Sequence, residues 1–431
     1  HQREQPPGPR GDDDPGGDGP MSHQGLESVE QHLDRILAAT RAPVRTRVGL
    51  DEAAGRTLTA PVLAAVDIPA FRNSAMDGFA VRWADVERAG IENPITLAVV
   101  ADLPAGSALD PRFDPGQAAR IMTGAPVPTD ADTVVPVEDT AGALEDSLER
   151  VVVTAAPSRL GAHVRGRGED IEAGGTVLEA GTVIRHFQLG SIAAAGNGEV
   201  EVATAPRVAI ISTGSELVPA GAPLAAGMIP ESNSWLLAAA AREAGAEVVI
   251  RRSVPDETAA LLALVAEADD LGLDAVVFTG GVSAGAYEVV KQAMTGMRFS
   301  RLAMQPGKPQ GFGVTERGML LFGLPGNPVS AAVSFEVFVR PALLRLQGRS
   351  RIHRPVLRLR AGTGWRTPPG RRQYLPATID RTDPEAWHVF PATSGGSHLA
   401  GGLGRAEALA IVAAEVTRVE AGDLVDVVLV P

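Results

Sequence analysis

Cysteine is absent from the 431 residues. That excludes disulfides, thiolate metal ligands and a cysteine nucleophile, and it fits a reduced compartment. A basic excess is missing too: 52 acidic side chains stand against 39 basic ones, a net charge of −13. This opposes a general nucleic-acid role, because phosphate backbones recruit clustered Lys and Arg. Any anionic ligand must therefore be held by local groups. No uninterrupted apolar run reaches the roughly 18 residues of a membrane helix; WLLAAAA, for instance, stops at Arg242. The eight histidines form no zinc-like cluster. Residues 1–20 are rich in Pro, Gly and Asp and lack the apolar core of a secretory signal. Residues 1–21 are read as a disordered tail ending at Met21, a candidate internal start, and the expectation is a soluble, cytoplasmic protein with neither nucleic-acid nor membrane partner.

What is present is enough chain for about three domains of typical size. Leu26, Val29, Leu33, Ile36 and Leu37 recur at helical spacing, which predicts an amphipathic helix over residues 26–39. From about residue 44 to 203, short Val-rich runs cut by Pro and Gly, such as DTVVPVED and RVVVTAAP, indicate β-rich modules. Residues 205–346 alternate compact apolar strands (RVAIIS, AEVVIR, DAVVF, MLLFGL) with helical segments, which implies a doubly wound α/β domain. Residues 350–431 return to short strands between Gly and Pro turns, so a small β-barrel or sandwich is expected. The resulting division is 1–21 tail, 22–203 elongated modules with an inserted β-rich part about 64–150, 204–348 α/β, and 349–431 β.

In the α/β region, three strands end in glycine-bearing turns. RVAIISTGSEL turns at Thr213-Gly214 and carries Glu216, which is read alone as well as a solvated helix-start carboxylate as a functional one. VVFTGGVSAGAYE turns at Gly280-Gly281 and continues through Ser283. LLFGLPGNPVSAA places Gly326 before Asn327, suited to an N-cap, and Pro328, suited to the first helical position, with Ser330 beyond. One Gly-Gly turn is explained by backbone freedom alone. Three in one sheet point to a cradle for a phosphate-bearing ligand. Lys308, fixed in the Pro-Gly turn of MQPGKPQGFG, is a candidate anion clamp, and Asn233 in ESNSWLL a helix cap or, secondarily, a ligand contact. Trp235 is read as core.

These motifs together resemble the molybdopterin molybdenumtransferase family, to which the C-terminal part of gephyrin also belongs. FRNSAMDGFAV (71–81), RIMTGAPVP (120–128), VRGRGEDI (164–171), STGSEL (212–217), TGGVSAGAYE (279–288), PGKP (306–309), GLPGNPVS (323–330) and GSH (396–398) carry the resemblance, from about residue 26 to the end. It implies a homodimer of multidomain protomers: a doubly wound α/β pterin-binding domain flanked by elongated, mixed or β-rich N-terminal modules and a C-terminal β-barrel-like domain. It further implies an Mg²⁺-dependent insertion of molybdate into adenylylated molybdopterin with release of AMP, in a cleft between the α/β domain and the other protomer's N-terminal modules. A molybdopterin adenylyltransferase and molybdoenzyme acceptors are the partners it suggests.

By the same resemblance Asp77, Thr123, Asp170, Glu216 and Glu288 are the reaction candidates, with Glu216 and Glu288 also on the metal. An ion pair with Arg165 or Arg167 is the competing account of Asp170. Molybdate is assigned to Lys308, Arg371, Arg372 and Ser397, and His398 to an orienting role. Two positions depart from the pattern: Ala286 stands where an acidic residue is common, and Gln305 where a lysine often precedes Pro-Gly-Lys-Pro. Charge counting then expects Gln305→Lys to strengthen the clamp. A pterin adenylyltransferase and a non-catalytic, gephyrin-like scaffold are the alternatives; the first is disfavoured by the large flanking modules, the second by the retained Asp77, Glu216 and Glu288.

Overall fold

The structure, a computed structural model, describes residues 25–142, 148–280, 290, 294, 296–393, 396 and 398–430. The tail 1–21 and the candidates Gly281, Ser283, Ala286, Glu288 and Ser397 lie outside the described residues. The chain divides into two compact units: one combines the chain up to Arg41, Pro206–Leu343 and the chain from Ile352 onward, the other Ala42–Ala205 with Leu344–Arg351.

The first unit is built on a six-stranded sheet. Its strands are β1 (Arg207–Thr213), β2 (Glu247–Val254), β3 (Ala275–Thr279), β4 (Met297–Arg301), β5 (Pro309–Val314) and β6 (Leu320–Leu324), in the order β2-β1-β3-β6-β5-β4. The first four in that order are parallel, and the last two pairings antiparallel. β3 and β6 are buried at every position, as strands covered on both faces must be. Leu261, Leu264 and Ala268 of α3 (Thr258–Asp270) share a core with Ala209, Ile211, Val276 and Phe278. The alternate residues Val208, Ile210, Ala275 and Val277 are buried on the opposite face. α2 (Asn233–Glu243) packs on β1 and β2, and α4 (Pro328–Ser334) on β6 and α2. The doubly wound domain is thus present, with β4 and β5 added: MRFSR and PQGFGV carry too much charge, Pro and Gly to read as strands from pattern alone.

α1 (Val29–Ala39) joins this unit. It begins three residues later than its periodicity suggests because Ser28 and Gln31 form a reciprocal capping box. The residue most deeply buried beside Ile36 is His32, whose ring stands edge-on to Phe338 at 4.9 Å between centroids.

Five strands, β7 (Val356–Ala361), β8 (Arg372–Asp380), β9 (His388–Pro391), β10 (Ala408–Val412) and β11 (Leu424–Leu429), close on themselves in the order β8-β9-β7-β11-β10 and back to β8. This is the barrel of the C-terminal region, filled by Leu375, Val389, Ala410 and Val427. The short strand Met304–Gln305 runs parallel to the start of β8.

The second unit is β-rich. Its largest sheet orders Thr133–Pro136, Gly78–Val81, Gln117–Ile121, Ile95–Leu103, Arg150–Val153 and Thr140–Ala141 side by side. Alternation along Gly78–Val81 sends Phe79 and Val81 into one core and Ala80 into another, so both faces are covered.

Candidate active site

β1, β3 and β6 are adjacent and in register, Ser212 opposite Thr279 and Thr279 opposite Leu324, so their carboxyl ends lie in a row. The glycines after them allow the backbones to touch. A Cβ on Gly280, whose φ is +85°, would fall 2.2 Å from the Thr213 carbonyl oxygen, and one on Gly326 3.2 Å from the Gly280 Cα. Asn233 ties the row together: its amide donates to Thr279 Oγ1 at 3.0 Å and to the Gly326 carbonyl at 2.6 Å. It does not cap α2, whose N-cap is Ser232. Asn327 does occupy the N-cap of α4, with Pro328 following it.

Above these ends opens a cavity of about 730 Å³. Four buried polar atoms in its lining, Ser212 Oγ, Thr213 Oγ1, Asn233 Oδ1 and Asp256 Oδ1, have no hydrogen-bond partner among the described residues. Each such orphan costs about 1–3 kcal/mol unless a ligand or water satisfies it. Four such residues lining one space make it a polar cavity, suited to a polar ligand. Glu216 lines the same cavity, with its carboxylate folded so closely over Gly214 that a Cβ there would meet it at 2.7–2.9 Å. Ser330, on α4, is buried in the lining as well.

Asp256 is the member that pattern reading missed. It follows Val254-Pro255 at the end of β2, next to β1, and is therefore a fourth strand end in the row. Its signal was an acidic residue just after an apolar strand, masked because Pro-Asp reads as an ordinary turn.

Lys308 enters from the turn before β5. Buried Gln310 fixes that turn by donating to the Gly307 carbonyl at 2.8 Å and to Ser334 Oγ at 2.7 Å. Burial, then the like charges of Arg301 and Arg371, pushes the Lys308 ammonium below its ordinary value. The two neighbouring arginines part ways. Arg371 donates to Gln305 Oε1 at 2.8 Å, and Gln305 lines the cavity. Arg372 is paired with Glu30, and though burial opposes its charge, Tyr374 and Glu30 hold its pKa up. His398, exposed, reaches the cavity rim.

In the second unit Asp77 and Thr123 come together: one carboxylate oxygen accepts from the Thr123 amide at 2.7 Å and from its hydroxyl at 2.8 Å. The amide bond first, then the hydroxyl, holds Asp77 below the usual carboxylate range. Asp170 is exposed and pairs with neither Arg165 nor Arg167; Arg167 is taken by Asp67. Trp235 is not core: it is 57% exposed, with the Arg251 guanidinium 3.6 Å over its ring.

A row of glycine-lined strand ends beside a closed β-barrel, with a separate β-rich N-terminal unit, defines a multidomain protein of the MoeA class. Three family descriptions match in order: "MoeA N-terminal region (domain I and II)" over residues 27–196, "Probable molybdopterin binding domain" over 209–345, and "MoeA C-terminal region (domain IV)" over 358–430. The chain is 42% identical over 408 residues to molybdopterin molybdenumtransferase 2 of Mycobacterium tuberculosis, covering 92% of this chain and 98% of the relative. It is 36% identical to the molybdopterin molybdenumtransferase of a Nostoc species, covering 89% of this chain and 88% of the relative. The crystal structure of a molybdopterin biosynthesis moeA protein from Pyrococcus horikoshii superposes with a TM-score of 0.80 at 26% identity, over 94% of this chain and all (100%) of that one. The chain belongs to the molybdopterin molybdenumtransferase family.

Proposed function

We propose that this chain is a transferase that inserts molybdate into adenylylated molybdopterin and releases AMP. The four residues with orphaned polar atoms that line one cavity at adjacent strand ends carry this reading. Such a ligand brings phosphate oxygens and polar pterin edges to this lining, and the glycines let the strand ends beneath it pack against one another. Similarity across nearly the full length of proteins named molybdenumtransferases favours insertion over the adenylylating step and over a scaffold without activity.

Within this proposal Thr213, Gly214, Asn233, Gly280, Gly281, Gly326, Asn327 and Ser330, with Ser283, belong to the cradle, and Lys308, Arg371 and Ser397 to the oxyanion. Arg372, engaged by Glu30, contributes less than the other arginine. Asp77 with Thr123, Asp170, Glu216 and Glu288 remain the proposed reaction residues. Of the division proposed from sequence, the boundaries near 203 and 349 are supported by family matches that end at 196 and 345 and resume at 209 and 358.

Mg²⁺ is proposed as cofactor. Among the described residues no three His, Cys, Asp or Glu side chains gather around a metal position. Mg²⁺ does not require that, since it commonly takes one or two carboxylates plus phosphate oxygens and water. Glu216 and Asp256, both in the cavity lining, fit that donor set. When bound, the ion would neutralise the phosphate oxygens of the departing AMP. The protein's own groups do the rest: the turns hold the substrate, and Lys308 and Arg371 gather the oxyanion.

The proposed assembly is a homodimer in the cytoplasm, receiving substrate from a molybdopterin adenylyltransferase and passing product to molybdoenzymes. No helix among the described residues is long and apolar enough to cross a membrane. Incubation with adenylylated molybdopterin and molybdate should release AMP. Consumption of ATP with free molybdopterin instead would assign the chain to the preceding step.

A further inference from the structure

Gln305 stands where the family resemblance puts a lysine, yet its side chain is engaged at the cavity. Its amide oxygen accepts a hydrogen bond of 2.8 Å from Arg371 Nη1. Gln305 lines the cavity with Lys308, three residues on, and Arg371 lies close enough for Lys308 to feel its charge. Neither Arg371 nor Lys308 has a carboxylate partner among the described residues, although acidic groups outnumber basic ones 52 to 39 in the chain. By contrast the adjacent Arg372 is neutralised by Glu30. Glu216 and Asp256 line the same cavity, but Lys308 in the lining and Arg371 behind Gln305, neither paired with a carboxylate among the described residues, make this part of it a site for an anion, and a neutral acceptor is what keeps Arg371 there.

Resting on the proposed molybdate-dependent function, we infer that Gln305 is a positioning residue for the oxyanion: its amide oxygen holds the Arg371 guanidinium beside Lys308, so that this arginine supplies the charge a lysine at 305 would otherwise bring. One guanidinium N–H is spent on Gln305, and the remaining donors of the planar fork stay free for two oxygens of a tetrahedral dianion. A lysine at 305 would add a charge but remove the acceptor. It would also set another ammonium against Lys308, which Arg301 and Arg371 already repel. Arg371 would then relax toward solvent, and the net change is a loss.

The test is a double-mutant cycle on Gln305→Met and Arg371→Met in the full chain, read as molybdate KM and kcat for AMP release. Gln305→Met is expected to raise the molybdate KM about tenfold, the loss typical of one hydrogen bond to a charged group, with kcat at saturating molybdate unchanged. Arg371→Met should raise KM at least as far, and the double variant no further than Arg371→Met alone. Gln305→Lys should raise KM rather than lower it. An unchanged KM in Gln305→Met, fully additive losses, or a gain in Gln305→Lys overturns the inference. Equilibrium dialysis of inorganic molybdate against the wild-type and Gln305→Met chains reads the same contrast without turnover, and equal binding by the two also overturns it. A wild-type chain that releases no AMP overturns the proposed function as well, whereas turnover with an indifferent Gln305 sinks only the positioning role.

Discussion

Lys308 holds its charge against its surroundings. Burial, then Arg301 and Arg371, lowers its pKa from the ordinary 10.5, and a bound oxyanion would reverse that balance by favouring the ammonium. Binding therefore takes up a proton at pH values above the free protein's Lys308 pKa. Oxyanion affinity is complete well below that pKa and falls as pH rises through it, so the decline sets in below 10.5. A pH series of molybdate dialysis should show this in the wild type and not in Lys308→Arg, whose guanidinium stays charged. The same decline in both proteins would mean that another group titrates. Lys308 is one of only two lysines in the chain, the other being Lys291, so a second measurement is available: molybdate should protect a single lysine from an amine-reactive reagent, and that lysine should be Lys308.

At the scale of elements, the row of strand ends depends on the close approach of β1 and β3. Gly280→Ala forces two costs: a non-glycine residue at φ +85°, and a Cβ 2.2 Å from the Thr213 carbonyl oxygen. The first is worth about 1–2 kcal/mol, and Gly318→Ala isolates it, since Gly318 has φ +86° and nothing within 4 Å of its Cβ position. Chemical unfolding should find Gly280→Ala less stable than Gly318→Ala by a further amount of about 2 kcal/mol, in the range of other severe packing strains. Equal losses would show that the two backbones can separate freely. α1 gives a pH signature. Burial lowers the pKa of His32 to about 4 from 6.5; Glu27 favours its charge, while Arg35 and Arg298 oppose it. The unfolded chain thus binds the proton first, and stability present above pH 6.5 is lost as pH falls toward about 4. The loss is on the order of 3 kcal/mol, and in His32→Leu that part of the slope should vanish from urea unfolding between those limits. The strands and their glycine turns were legible because an apolar run followed by Gly has few alternative meanings. His32 was not, because a histidine on an apolar face reads as polar until its neighbours Phe312 and Phe338 are known. Trp235 misled for the converse reason: a nearly all-apolar helix segment does not tell which side meets solvent. Asp256 and the Gln305–Arg371 pair needed sheet order, since 66 residues separate the latter two.

At the scale of the whole molecule, the proposed reaction residues fall in separate compact units, Asp77 in one and Glu216 in the other. In the proposed homodimer the partner's copy of one unit would complete the site of the other, and this arrangement has a stoichiometric consequence. Consider Asp77→Ala chains and Glu216→Ala chains, each inactive alone, refolded together so that dimers form at random. About half of the dimers are mixed, and each mixed dimer of two-fold symmetry has two sites. If a site takes Asp77 from one chain and Glu216 from the other, one of the two sites receives both substitutions and its twin receives neither. AMP release should then recover to about a quarter of the wild-type rate. If instead both residues act from the same chain, every site in the mixed dimer carries one substitution and the rate stays at the background of the single variants. A doubly substituted chain mixed with wild type discriminates further: the shared arrangement leaves each site of that hybrid with one substitution and predicts no activity from it, while the unshared one leaves one site intact. Recovery in the first mixture together with a silent hybrid in the second would establish exchange between protomers; a silent first mixture with an active hybrid would place the whole reaction within a single chain.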